Sequence, residues 1–366
     1  MKIGIDGFPL TIPFPCGTKT YANELIKNLS KIDKTNEYLI FASKKVLIPK
    51  QKNFKFIKVP NFIPILKRQL FLPALVRKNH LDIFHFLEPY GSFFLRHPKI
   101  ITTVHDINLN YTYPLFSKSA INRVYCELAR FYIFKNTRVF IVNSDFIRKE
   151  LEHYLARLDK KAKTFLIPIA CQKEFSTSRL NVTKSNYFLC MGDFAPRKNI
   201  PNVIKAFSLL PEKLRNKIRL KIVCSTSTPA KKFRLLAKNY NISLKVDTME
   251  NVSIPKLINL YSKAVAFIYP SVYEGFGIPI LEAMTLGCPV ITSDFGAMKE
   301  TTADAAYAIN TKSPKAISQA MTEILMNKEL SKKLIKKGSK RSNNYSWEIT
   351  AKKTLETYIT MYNCKS

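Results

Sequence analysis

Residues 264–300, AVAFIYPSVYEGFGIPILEAMTLGCPVITSDFGAMKE, decide how the whole chain is read. Ala264 to Tyr269 is a short apolar run with the length of a buried strand. Pro270 and Ser271 end it, so Tyr273-Glu274-Gly275-Phe276-Gly277 must be loop. The glycines at 275 and 277 let the backbone turn, and approach a ligand, without a Cβ penalty. Pro279 suits the first position of a helix, where its missing N–H needs no partner. Ile280 to Leu286 continues that helix, Gly287 caps it, and Pro289 to Thr292 opens another strand. Free N–H groups and the dipole at the start of such a helix attract anions. Glu274 lies in the loop, and Glu282, eight positions on, about one turn into the helix. Strand, glycine loop, helix and two acids suit a phosphorylated polyol. The plainer reading is a βα unit with two solvated glutamates.

Working outward, the same alternation fills the rest of the chain. Lys2–Ile5 reads as a first strand, followed by a Gly- and Pro-rich loop through Gly17 and a helix over 18–29. Strands are expected at 37–42, 54–59, 82–86, 99–104, 139–142 and 164–169, and helices at 118–134 and 145–156. His105-Asp106 stands where the 99–104 strand ends, the side on which open α/β sheets bind ligands. The other histidines read as structural or surface residues. Composition turns polar after Ile169, and 172–185 has the character of a connector. A second series then begins, with strands at 187–191, 217–225, 243–248 and 306–309 and helices at 200–209, 230–239 and 254–262. Lysine-rich helices run to about 342, and Trp347–Met361 is a last helix.

Bulk properties narrow the class. At 366 residues, 46% of them hydrophobic, the chain can bury two cores. No apolar run approaches the about 20 residues of a membrane span, and MKIGIDGFPL opens as a strand rather than a signal peptide. Seven scattered cysteines without a CxxC pair point to a reducing cytoplasm and away from structural zinc. The formal net charge is +33, spread over both halves. One window is extreme: residues 41–80 carry ten basic side chains and no acidic one.

The run Pro270, Ser271, Glu274, Gly275, Phe276, Gly277, Pro279, Glu282, Ala283 and Met284 resembles the signature of the glycosyltransferases of family 4, P-S-x-x-E-G-F-G-x-P-x-x-E-A-M. These are the retaining, "group 1" enzymes with the GT-B fold. Gly192 to Asn199 repeats the family's second hallmark, G-x-x-x-P-R-K-N. The resemblance covers nearly the whole chain, densely at 187–305 and loosely over the first 170 residues.

The resemblance implies two Rossmann-like domains facing a cleft. They would be 1–170, rejoined by a C-terminal helix (347–366) that crosses back, and 171–346. The second domain would hold a nucleoside-diphosphate sugar and the first the acceptor. Glu274 would face the reacting carbon of the sugar as a catalytic residue, with His105 beside the donor sugar. Gly275, Phe276, Gly277 and Ile278 would meet the sugar and diphosphate, and Glu282 the ribose hydroxyls. A departing diphosphate needs fixed positive charge, which Arg197 and Lys198 would supply in place of a metal. No Asp-x-Asp motif is present, and neither metal nor cofactor is expected. In the first loop Gly17 matches the second of a glycine pair near the donor, whereas Cys16 replaces the first.

The motif type is similar to mannosyltransferases of surface polysaccharide synthesis, so GDP-mannose is the expected donor. A saccharide or lipid-linked saccharide is the expected acceptor. A soluble disaccharide synthase of the same fold is the alternative within enzymes. A basic binder of nucleic acid or another anionic polymer would account for the charge directly, but no nucleic-acid motif accompanies it. A cytoplasmic protein is expected, with residues 41–80 either touching the inner face of the plasma membrane or forming a plain lysine-rich surface.

Overall fold

The computed structural model describes residues 1–13, 16–60, 67–97, 99–107, 120–177, 183–364. The chain divides into two compact units, Met1–Ile169 with Ser346–Ser366, and Ala170–Tyr345.

In the first unit the strands are β1 (Lys2–Asp6), β2 (Glu37–Ala42), β3 (Phe54–Lys58), β4 (Ile83–Phe86), β5 (Ile100–Val104), β6 (Val139–Val142) and β7 (Lys163–Leu166). Among the described residues they form one parallel sheet in the order β3-β2-β1-β4-β5-β6-β7. Strand order reverses between β1 and β4, which opens a crevice at their carboxyl ends. The helices are α1 (Gly17–Ile32), α2 (Leu72–Lys78), α3 (Ala120–Asn136) and α4 (Asp145–Ala156). Ser144 caps α4 by accepting from the Ile147 N–H.

The C-terminal helix Trp347–Asn363 packs on α1 and belongs to this unit. Its Trp347, Tyr358 and Met361 are buried, each contributing about 1.5–3 kcal/mol of apolar stabilisation. Thr350 donates to the Pro168 carbonyl at 2.8 Å. Tyr358 meets Nδ1 of His85 at 2.7 Å, while Nε2 of that ring meets Thr103 at 2.8 Å. His85 is thus a satisfied core histidine.

In the second unit β8 (Tyr187–Met191), β9 (Arg219–Cys224), β10 (Val246–Glu250), β11 (Ala266–Tyr269), β12 (Val290–Ser293) and β13 (Tyr307–Ile309) pair in parallel, ordered β10-β9-β8-β11-β12-β13. Here the reversal falls between β8 and β11. Successive strand residues point to opposite faces, so the sheet has two cores. Phe188, Cys190, Ala266 and Ile268 join the one with α5 (Ile200–Ser208), α6 (Ser227–Asn239) and α10 (Pro314–Met326). Tyr187, Leu189, Phe267 and Tyr269 join the other, with α7 (Ile254–Lys263) and α8 (Ile278–Thr285). Burial on both faces is why these strands read as unbroken apolar runs. The unit also contains α9 (Gly296–Thr302) and α11 (Lys328–Ser342).

Some local expectations shift. Residues 8–11, expected as loop, form a 3-10 turn, and α1 starts at Gly17 rather than Thr18. Ser243–Lys245 is also a 3-10 turn, and the strand there begins at Val246. Pro279 takes the second rather than the first position of α8, where its missing N–H is equally harmless. The connector contains a one-turn helix, Lys173–Thr177, while its residues 178–182 lie outside the described residues. So do 61–66 of the basic 41–80 window, and the first two residues of the helix expected at 118–134. No described helix is long and apolar enough to cross a membrane.

Candidate active site

The signature residues of the second unit meet at its switch point, where β8 and β11 deliver adjacent loops. After β8 the chain passes Gly192, at φ +156, and makes a 3-10 turn over Pro196–Lys198. Asn199 then enters α5 from a left-handed conformation at φ 55. Its amide donates to the carbonyls of Pro270 (3.3 Å) and Thr311 (2.6 Å), and the Val272 N–H donates to Arg197 O at 2.9 Å. The two loops are therefore tied through their backbones, independently of any charge.

Charge joins them as well. A single oxygen of Glu274, Oε1, accepts from Arg197 Nη1 at 2.8 Å and from Lys198 Nζ at 2.7 Å. Lys198 also donates to the Tyr269 hydroxyl at 2.8 Å and lies 5.0 Å from its ring centroid. All three charged side chains are largely withdrawn from water, at 11%, 19% and 13% exposure for Arg197, Lys198 and Glu274. Burial by itself raises the Glu274 carboxyl, but Lys198 and then Arg197 overcome it and hold the group down to about 2. Glu274 is a permanent anion here.

The next loop residues are ordered from outside. Thr301 of α9 donates to the Phe276 carbonyl at 2.7 Å, and the Phe276 ring meets Tyr345 edge-on at 5.5 Å. Gly277 opens α8 at φ +101, a conformation that L side chains rarely adopt. Among the described residues the N–H groups of Gly275, Phe276, Gly277 and Ile278 find no partner, so four donors remain for a ligand at this helix start. Glu282, inside α8, is 8% exposed and accepts from the Tyr261 hydroxyl at 3.1 Å. Burial pushes its carboxyl up to about 7, against the lowering effect of that bond. One signature acid is thus locked anionic and the other poised near neutrality. Among the described residues no group of three or more His, Cys, Asp or Glu side chains is placed to hold a metal ion.

In the first unit His105 follows β5 directly. Its Nε2 meets the Leu87 carbonyl at 3.0 Å, and its ring stands edge-on to Tyr21 at 4.6 Å. Burial holds the ring down to about 4, so it is neutral at pH 7. A carbonyl can only accept, so Nε2 carries the proton and Nδ1 is left as an acceptor. Gly17 is the first residue of α1, behind the extended N-cap Cys16, and a Cβ there would meet nothing within 4 Å. The fold itself makes no demand for glycine at that position.

Comparison with known proteins accords with this geometry. The family profile described as "Glycosyl transferases group 1" matches residues 172–341, and that of "Glycosyltransferase Family 4" matches residues 17–168. The chain belongs to the group 1, family 4 glycosyltransferases. It is 27% identical to the O-antigen chain mannosyltransferase B of Escherichia coli, over 98% of this chain and 99% of that one. With the O-antigen chain mannosyltransferase RfbU of Salmonella typhimurium it shares 36% identity, over 38% and 39% of the two chains. In structure it is similar to a sucrose-phosphate synthase from Thermosynechococcus elongatus, with a TM-score of 0.76, 21% identity and 99% of each chain covered. That likeness gives the GT-B fold.

The glycosyltransferase has a second charged cluster, built from residues that no sequence motif marks. At the switch point of the first sheet, Arg68 bridges Asp6, the last residue of β1 (3.3 Å), and Glu88, just past β4. It also donates to the Tyr90 carbonyl and lies 4.7 Å from the Phe8 ring centroid. Asp6 is fully buried, which raises its carboxyl to about 6 even though Arg68 pulls it down. An acid ending an apolar strand, in IGIDG, was the available signal. Arg68 gave none, being one of ten cations in its window. Tyr269 and Tyr261 were likewise hidden within apolar runs.

Proposed function

We propose that this glycosyltransferase moves a mannosyl residue from GDP-mannose to a saccharide or lipid-linked saccharide acceptor of a surface polysaccharide, with retention of anomeric configuration. The observation that carries the reading is the pair Arg197–Lys198 held on Glu274 beside a helix start with unpartnered N–H groups. The mannose assignment draws on the O-antigen mannosyltransferases that the chain resembles.

Donor binding is then an exchange of anions. The diphosphate takes Arg197 and Lys198, which already lie in a dry, preorganised position, and Glu274 turns to the sugar. There its charge steadies the positive character that grows on the anomeric carbon as the glycosidic bond breaks. The Gly275–Ile278 N–H groups serve sugar and phosphate oxygens, and Glu282 takes the ribose hydroxyls. Two fixed cations and a helix start offset the diphosphate charge, so turnover needs no divalent metal. In the first unit the neutral His105 offers Nδ1 to a sugar hydroxyl. The Asp6–Arg68–Glu88 cluster, at the corresponding switch point, is the acceptor side.

The test is a donor panel. Purified enzyme is given GDP-mannose, UDP-glucose and UDP-galactose with a lipid-linked saccharide, and the product anomer is read by NMR. An α-linked mannosyl product from GDP-mannose is expected. Turnover confined to a UDP sugar, or an inverted product, refutes the reading.

A further inference from the structure

The amino ends of β5, β6 and β7 lie side by side at one end of the first sheet, away from the crevice at the carboxyl ends of β1 and β4. A cation stands at each of them. Lys99 immediately precedes β5, Arg138 immediately precedes β6, and Lys163 is the first residue of β7. The Lys163 N–H donates to the Arg138 carbonyl at 3.1 Å, which holds those two residues next to each other. Together with Lys161 they surround a cavity of about 480 Å³, floored in part by Val139 and by Met361 of the C-terminal helix. That volume falls within the roughly 300–1,000 Å³ of small-molecule sites.

No counter-charge meets these cations. Among the described residues no acid lines the cavity, and none of its four cations is paired with a carboxylate. Exposed lysines elsewhere in the same unit do find acids: Lys55 lies 2.7 Å from Glu37, and Lys149 3.0 Å from Asp145. Here the partners are neutral. Lys99 donates to the Tyr362 carbonyl at 2.5 Å, and Lys163 reaches the Cys364 sulfur at 3.9 Å. Both contacts tie the sheet to the carboxyl end of the C-terminal helix. Arg138 also acts on a neighbouring cation. Lys160 donates to the Phe134 carbonyl at 2.7 Å, and burial together with the Arg138 charge holds its ammonium down to about 8. Cations placed like this repel one another, and a multiply charged anion relieves that repulsion. An arginine fork beside lysine point charges is the set that grips phosphate oxygens.

We propose that this cavity is a binding site for a small, multiply phosphorylated molecule, held by Lys99, Arg138, Lys161 and Lys163. Its limited volume suits a compact oligophosphate rather than a polymer strand. Such a ligand bridges the sheet and the end of the C-terminal helix, so its binding stabilises the first unit. Arg197 and Lys198 belong to the second unit, and the site does not depend on the proposed donor.

Tripolyphosphate is the probe. Trp347, the one tryptophan, lies on the C-terminal helix and reports the first unit. Its fluorescence melt should rise by several degrees as tripolyphosphate saturates the site. Arg138→Ala with Lys161→Ala should need about tenfold more tripolyphosphate, or higher still, for the same shift. Both side chains are exposed, so the fold should survive their loss. Lys352→Ala with Lys353→Ala removes the same charge from exposed positions of the C-terminal helix and should leave the response unchanged. Lys198→Ala should leave it unchanged as well. Cys364, a free cysteine of the cavity wall, gives a second reading in the wild-type chain. Tripolyphosphate should slow its alkylation by iodoacetamide, followed by mass spectrometry, but not that of Cys126 on α3. A double Arg138–Lys161 variant that responds as the wild type does, an equal loss in the Lys352–Lys353 variant, or alkylation of Cys364 that tripolyphosphate does not slow overturns the proposal. So does binding of a short single-stranded DNA or of phosphatidylglycerol vesicles where tripolyphosphate has no effect.

Discussion

Glu274 occupies both cations of its site through one oxygen, and that fixes what its removal should do. Glu274→Gln keeps the side-chain shape but withdraws the internal competitor for Arg197 and Lys198. We expect kcat to fall by about 100-fold or more, because the charge matters most as the bond breaks. Affinity for free GDP should hold or tighten, and calorimetry separates the two effects; a weaker GDP complex would contradict the exchange of anions. Glu282 answers differently because it titrates near 7. If Glu282 takes the ribose as proposed, only its carboxylate form would accept from both hydroxyls, so binding should strengthen as pH rises through 7. The nucleotide sugar has no phosphate titrating in that range, so GDP-mannose is the probe. Its Kd should be about tenfold larger at pH 6 than at pH 8, and Glu282→Gln should flatten the profile. A flat wild-type profile would place Glu282 away from the ribose.

At the scale of elements, two glycines separate demands of the fold from demands of a ligand. Gly277 holds φ +101 at the start of α8, and a Cβ would lie 3.1 Å from Ile280 Cδ1. Gly277→Ala should cost about 1–3 kcal/mol and lower the Tm by several degrees. Gly17 is helical with open space around it. Gly17→Ala should leave stability unchanged or raise it by up to about 1 kcal/mol, and should raise KM if the backbone there meets the donor. Thermal melts with initial rates check both. The same elements show what a sequence discloses. The strands 139–142 and 187–191 and the helix 145–156 were readable to the residue, since strands buried on both faces are bare apolar runs and Ser144 announces its helix. Asn199, Gly277 and the two glutamates were legible as a spaced motif. Their joining was not: that Arg197 and Lys198 share one oxygen of Glu274 depends on β8 and β11 being neighbours. The 3-10 turn at Phe8–Thr11 and the helix Gly296–Thr302 escaped because each is too short to show a period.

At the scale of the molecule the two units should respond oppositely to acid. In the first, burial holds His85 to about 3 and His105 to about 4, below the usual 6.5. The unfolded chain therefore binds more protons, and stability falls as pH drops below 6.5. Asp6, raised to about 6, offsets part of this. In the second unit Glu282 is raised, so acidification from 7 towards 4.5 favours its folded form, while Glu274 loses nothing until pH falls below 4.5. Trp347 reports the first unit alone. At pH 5 its fluorescence melt should precede the loss of circular dichroism from the rest; coincident melts at every pH would contradict this. One titration tests most directly how the donor is held. GDP is titrated calorimetrically in EDTA into the wild-type chain and into Lys198→Ala. The wild type should bind without metal, and Lys198→Ala should lose about ten- to hundredfold in affinity, the worth of a charged hydrogen bond to phosphate. Binding that appears only with Mg²⁺ or Mn²⁺, or a Lys198→Ala variant that binds as the wild type does, would contradict it.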